Sequence, residues 1–112
     1  METLTVKTEM KGNVAVVTVS GRIDSESAPA LDAELTKITG GTSKLVVDFK
    51  GVEYMSSAGL RAVIKASQAA ERSGGSIKLA SVPEEITSVV YTVGLNQKLG
   101  SFASVEEAMA SF

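Results

Sequence analysis

The chain has 112 residues and a net charge of −2 at pH 7, and 44% of its residues are hydrophobic. These values fit one globular domain, residues 1–112, and the lack of any basic block argues against direct nucleic-acid binding. The sequence has no Cys and no His, which excludes disulfides, thiol nucleophiles, phosphohistidine carriers, Ser-His-Asp catalysis and imidazole metal sites.

Membrane insertion and metal binding are also not expected. The apolar runs fall far short of the roughly 20 residues that span a membrane, and the N-terminus does not open a signal peptide. We therefore expect a cytoplasmic protein. Asp24, Asp32 and Asp48 have no EF-hand spacing and form no acidic cluster, so we expect no metal and no cofactor.

The first third of the chain predicts a hairpin followed by a helix. Residues 4–10 alternate apolar and polar side chains, and after a turn residues 14–20 are apolar on both faces. The second strand should therefore lie inside a sheet covered by helices. After Gly21-Arg22-Ile23-Asp24, Pro29 falls in the first turn of a helix that ends before Gly40-Gly41. The apolar face of this helix is Ala28, Leu31, Leu35 and Ile38.

The middle of the chain predicts a buried strand and a second amphipathic helix. Residues 45–49 are apolar and rich in β-branched side chains, and Lys50-Gly51 has the composition of a turn. A helix begins at or just after Ser57 and stops at Ser73-Gly74-Gly75. Its helical spacing is marked by Leu60, Val63, Ile64 and Ser67.

The last third predicts a strand at residues 76–80 and a helix that opens at Pro83. The buried face of that helix is Ile86, Val89, Val90 and Val93. A weak edge strand at residues 98–102 follows, and a capping box at Ser104 begins a helix that runs to about Ser111. Strands that alternate with helices after a hairpin favour an α/β fold, here a mixed sheet of four to five strands with about four helices packed mainly on one face.

Two serines, Ser56 and Ser57, stand where the helix after the central strand begins. The first amides of a helix have no partner within it, and the helix dipole favours negative charge there. A phosphate on a serine at this position would bring a charge of about −1.5 to −2 and could accept hydrogen bonds from those amides. The alternative is that both serines are only helix caps.

The segment V-E-Y-M-S-S-A-G-L-R, residues 52–61, closely resembles the signature of bacterial anti-sigma factor antagonists, which are STAS-domain proteins. G-R-I-D at residues 21–24, V-G-L at residues 93–95 and S-V-E-E-A at residues 104–108 also match, so the likeness covers nearly the whole chain. In that family a serine at the start of this helix is phosphorylated by the anti-sigma factor, a GHKL-type ATPase and serine kinase. A PP2C-type phosphatase removes the phosphate.

The resemblance implies that Ser57 is the phosphorylation site. Many members have Asp directly before the acceptor and a second Ser or Thr directly after it, whereas this chain has Ser56 and Ala58. Ser56 is therefore a second candidate. The unphosphorylated form should bind the kinase and free its sigma factor, and the phosphorylated form should release it. The predicted partner-binding residues are Asp24, Ser56, Ser57, Ala58, Gly59 and Arg61.

Other interpretations of these residues remain open. Asp24 could be only a helix cap. Arg61 could contact a partner or the phosphate, or be only a solvated helix residue. Tyr54 and Met55 are expected to pack in or beside the core. A STAS domain could also dock in a transport-associated or sensory complex without a phosphorylation cycle. We do not expect an enzyme, because Ser57 has no His to activate it and no Lys in a Ser-x-x-Lys pattern.

Overall fold

The structure is a computed structural model that describes residues 4–83, residue 86 and residues 101–112. The described residues form five strands and three helices. The strands are β1 (Thr5–Lys11), β2 (Val14–Ile23), β3 (Lys44–Met55), β4 (Ser76–Ala80) and β5 (Ser101–Phe102). The helices are α1 (Ala28–Thr39), α2 (Ser57–Arg72) and α3 (Val105–Ala110).

The five strands make one mixed sheet in the order β1-β2-β3-β4-β5. β1 and β2 are antiparallel and are joined by a tight turn in which Gly12 has a φ of 65°, a backbone conformation that glycine adopts at little cost. The other neighbours are parallel, with α1 in the crossover from β2 to β3 and α2 in the crossover from β3 to β4. The predicted mixed sheet is therefore confirmed.

β2 and β3 both run further than the sequence predicted. β2 was expected to end at Ser20 and β3 at a turn beginning with Lys50, but the two strands stay paired up to Ile23 and Met55. The register of pairing between the two strands shifts along this stretch. Gly51 is needed for close approach, because a Cβ there would lie 2.7 Å from the Cβ of Ser20. The Lys50-Gly51 turn was therefore a wrong prediction: the glycine lets two strands come together.

The helices cover both faces of the sheet. Alternate residues of β3, such as Val47, join one buried cluster with α1 and α2, whereas Val46 belongs to a second cluster with Ala108 of α3. The first cluster includes all of the following fully buried large side chains: Phe49, Ile23, Leu31, Leu35, Leu45, Leu60, Ile77 and Leu79. The two long helices thus share one face, and the short α3 lies on the other.

The ends of the helices agree closely with the sequence. Pro29 lies in the first turn of α1, and α2 runs from Ser57 to Arg72 with Gly74 just beyond it at a φ of 85°. The Ser104 hydroxyl caps α3 by accepting from the Glu107 N–H at 3.1 Å.

Part of the C-terminal prediction lies outside the described residues. The helix expected from Pro83 is described only at Ile86, which is helical and 2% exposed; Val89, Val90 and Val93 are not described. The edge strand expected at residues 98–102 is described from residue 101 and pairs with β4. No helix in the described ranges has both the length and the apolar character needed to cross a membrane.

Candidate functional site

The parallel pairing of β2 and β3 brings two connecting segments to one edge of the sheet. Ile23 and Met55 are partners at the carboxyl ends of these strands, so Asp24 and Ser56 follow them side by side. The Ser56 N–H donates to the Ile23 carbonyl at 2.7 Å and ties the start of α2 to the end of β2. The structure therefore places the β2–α1 loop next to the two serines.

Ser56 is engaged in building the helix. It is the N-cap of α2, with extended backbone, and its hydroxyl oxygen accepts from the Gly59 N–H at 3.4 Å. Its carbonyl accepts from the Leu60 N–H at 3.2 Å. The side chain is half-buried. The capping interpretation therefore applies to Ser56, whose hydroxyl has a structural role.

Ser57 is in a different situation from its neighbour. It is the first residue of α2, its side chain is exposed, and within the described residues its hydroxyl makes no hydrogen bond. The first turn of α2 has no acidic residue, whereas the first turn of α3 contains Glu106 and Glu107. An added anion at Ser57 would therefore meet the positive end of the helix dipole without an acidic neighbour in that turn.

Gly59 was predicted to lie in the partner-binding surface, but in the structure it packs against the sheet. It is buried, and a Cβ at this position would collide with the Cγ2 of Ile23 and lie 3.3 Å from the Cγ of Met55. Glycine is required because the first turn of α2 packs directly on the ends of β2 and β3. Gly59 thus allows α2 to pack close to the sheet, and this close packing determines where Ser57 lies.

Ala58 and Arg61 lie on a groove between α1 and α2 that the sequence did not predict. The groove has a volume of about 270 Å³ and is lined by Ser25, Ala28, Pro29, Asp32, Ala58, Arg61, Ala62 and Lys65. Lys65 Nζ lies 3.3 Å from Asp32 Oδ2 and links the two helices. Arg61 is exposed and has no ion pair within the described residues. The groove is lined by residues of two separate helices, so no local sequence pattern signalled it.

Asp24 organises the loop before α1. Its Oδ1 accepts from the N–H groups of Glu26 and Ser27, each at 3.0 Å. The backbone N–H of Ser27 is the main cause that holds the pKa of Asp24 below its ordinary value, and the nearby Arg22 charge acts in the same direction. Asp24 therefore stabilises the turn before α1 and is not the helix cap that the sequence left open, because the N-cap of α1 is Ser27, with no side-chain capping hydrogen bond. It also carries a negative charge beside the serines.

Sequence analysis did not predict an exposed contact between a cation and an aromatic ring at the same edge of the sheet. The guanidinium of Arg22 lies 4.5 Å from the ring centroid of Tyr54, and the two residues are partners across β2 and β3. Met55 is 4% exposed and packs in the core as predicted, but Tyr54 is 42% exposed. Cation–π stacking therefore holds a cation and an aromatic side chain at the surface.

Comparisons with known proteins give a consistent result. The family model described as STAS domain matches residues 5–108. The chain is 28% identical over 103 residues to the "Anti-sigma-B factor antagonist" of Bacillus subtilis (strain 168), and this match covers 92% of this chain and 94% of that protein.

Two solved structures show the same fold. An anti-sigma factor antagonist from Mycobacterium paratuberculosis superposes with a TM-score of 0.85 at 23% identity, covering 97% of this chain and 93% of that one. The Bacillus cell fate determinant SpoIIAA, solved in its phosphorylated form, superposes with a TM-score of 0.76 at 20% identity, covering 96% and 98%.

Proposed function

The chain belongs to the STAS domain family, and we propose that it acts within that family as an anti-sigma factor antagonist switched by phosphorylation of Ser57. With Ser57 unmodified, the protein binds an anti-sigma factor that is also a GHKL-type serine kinase, and the sigma factor held by that kinase is released. Phosphate on Ser57 ends the binding, and a PP2C-type phosphatase restores it. The name of the Bacillus subtilis relative supports the class of partner.

The observation that carries this proposal is the contrast between the two serines. The Ser56 hydroxyl is half-buried and caps the helix, whereas the Ser57 hydroxyl is exposed and makes no hydrogen bond within the described residues. A kinase can reach Ser57 without breaking a hydrogen bond of the fold. Modification of Ser56 would instead remove the cap of α2, which typically contributes about 1 kcal/mol.

The chemical step is a transfer of the γ-phosphoryl group of ATP to Ser57. The Oγ–P bond forms as the bond from the γ-phosphorus to the β,γ-bridging oxygen breaks, ADP leaves, and the proton of the hydroxyl passes to a base on the kinase or to water. The protein is the substrate and supplies no catalytic group. The phosphatase removes the charge by hydrolysing the phosphoserine, which gives back the serine hydroxyl and releases inorganic phosphate.

The added charge accounts for release of the partner. Ser57 directly precedes Ala58, which lines the α1–α2 groove, so we expect a partner that packs on the small side chains there to cover Ser57 as well. Burying a new charge of about −1.5 to −2 in such an interface costs free energy by desolvation. Each ~1.4 kcal/mol lowers affinity tenfold, so we expect phosphorylation to weaken binding by at least about tenfold.

The test is incubation of the protein with ATP and each GHKL-type anti-sigma factor of the same organism, followed by mass spectrometry to locate phosphate. We expect phosphate on Ser57 in wild type and in Ser56→Ala, and none in Ser57→Ala, which should bind its kinase with or without ATP. Phosphate on Ser56 alone would overturn the assignment. Binding of a partner with no phosphate incorporated would favour a STAS domain that docks in an assembly without a phosphorylation cycle.

A further inference from the structure

Arg61 stands on the same face of α2 as Ser57. The two residues are separated by four positions in one continuous helix, Ser57–Arg72, so their side chains leave the helix about 40° apart in direction and about 6 Å apart along the axis. Side chains in a helix lean towards its N-terminus. The long side chain of Arg61 can therefore reach along the helix surface towards the Ser57 hydroxyl.

The surroundings of Arg61 leave its charge available. Lys65, the next residue along this stripe, is held by Asp32 of α1 at 3.3 Å. Arg61 is exposed and has no ion pair within the described residues. Its guanidinium can thus move without breaking an ion pair seen in the structure. An anion placed four residues before a cation is also the favourable order for such a pair on a helix.

We propose that the guanidinium of Arg61 binds the phosphate on Ser57 within the same chain, forming an ion pair with it across one turn of α2. This pairing deepens the proposed function and rests on it, because Ser57 must carry phosphate for the pair to form. The guanidinium offers a planar fork of N–H donors that fits two phosphate oxygens.

The pair gives phosphorylation a second effect on the binding surface. Arg61 lines the α1–α2 groove together with Ala58 and Ala62. When it turns back to the phosphate, the groove loses a cation at the same moment that Ser57 gains negative charge. A partner carboxylate that met Arg61 in the unmodified protein would then face repulsion in place of attraction.

The test installs phosphoserine at position 57 during translation, so that no kinase is needed, and follows the phosphate by ³¹P NMR as pH is varied. In Arg61→Gln the second pKa of the phosphate should rise by about 0.3 pH units, the size expected for losing one exposed i,i+4 ion pair. Arg61→Lys should restore most of the shift. The difference between wild type and Arg61→Gln should largely disappear in about 1 M salt, where the screening length is about 3 Å.

Arg72→Gln is the matched control. It removes the same charge from the same helix, but at its far end, about 22 Å along the axis from Ser57. The other charged groups near this edge stay constant across all variants; these are Arg22, Asp24, Glu26, Asp32 and Lys65. Circular dichroism checks that each variant keeps its helices.

Phosphoserine at position 56 is a second control. Ser56 is five residues before Arg61, about 140° away around the helix, so Arg61→Gln should shift the pKa of a phosphate there much less. If Arg61→Gln and Arg72→Gln give the same pKa at position 57, the pairing is wrong, even if a kinase modifies Ser57. If the pKa shifts but no kinase modifies Ser57, the pairing stands and the proposed function fails.

Discussion

Replacing Gly59 by Ala should destabilise the protein, although the same change usually stabilises a helix. In an exposed helix interior Ala is favoured over Gly by about 1 kcal/mol. Here the new Cβ would collide with the Cγ2 of Ile23, a side chain that is fully buried in the core. Overpacking of this kind costs typically about 1–3 kcal/mol. Because the overlap is severe and Ile23 has no solvent to move into, we expect the upper end and a net loss of about 2 kcal/mol.

Urea unfolding followed by circular dichroism measures this loss. Gly41→Ala is the control, because a Cβ there meets only an ordinary contact at 3.8 Å and should change stability little. Ile23→Ala opens space beneath residue 59, so adding Gly59→Ala to it should cost less than adding it to wild type. If Gly59→Ala is as stable as wild type, the close approach of α2 to the sheet is wrong, and with it the placement of Ser57.

Two further substitutions test other parts of the structure. Ser67 is fully buried on the sheet side of α2, and its hydroxyl has no hydrogen-bond partner within the described residues; Ser67→Ala should therefore raise the free energy of unfolding by about 1 kcal/mol, measured in urea. Asp24 has a folded-state pKa below its ordinary value of 3.8, so it stabilises the fold when charged, and this stabilisation is lost as pH falls below about 4. Wild type should exceed Asp24→Asn in stability at pH 6, and the difference should shrink towards pH 3. A constant difference would show that the carboxylate charge is not what stabilises the loop.

The order of elements was predictable because each element has a strong local signal. The helical spacing of Leu60, Val63 and Ser67 and the glycines after residue 73 predicted α2 almost to the residue. The ends of β2 and β3 were not predictable, because Gly51 has the composition of a turn and its true role depends on Ser20, a residue on another strand. The local sequence shows that a glycine is present, but only the packing of the two strands shows which steric clash its missing side chain avoids.

The site was predictable in position but not in the division of roles. Sequence and resemblance placed Ser56 and Ser57 at the start of a helix, yet either could have been cap or acceptor. The structure identifies Ser56 as the cap, because it has extended backbone before the helix whereas Ser57 is already helical; that Ser57 is the acceptor is our proposal. The Arg22 and Tyr54 pair and the α1–α2 groove depend on contacts between separate elements, so no local pattern could reveal them.

The capping geometry explains how a phosphorylation switch can be added to a small fold at little cost to stability. The capping side chain satisfies one of the free amides at a helix start, and Ser56 does this by accepting from the Gly59 N–H. The next residue, Ser57, lies at the same positive end of the dipole, and its hydroxyl makes no hydrogen bond within the part of the chain that the structure describes. In the proposed switch, phosphate there would be stabilised by the helix in the isolated protein and would be unfavourable only in the complex. On this basis phosphorylation should leave the unfolding midpoint equal to or above that of the unmodified protein while it weakens partner binding.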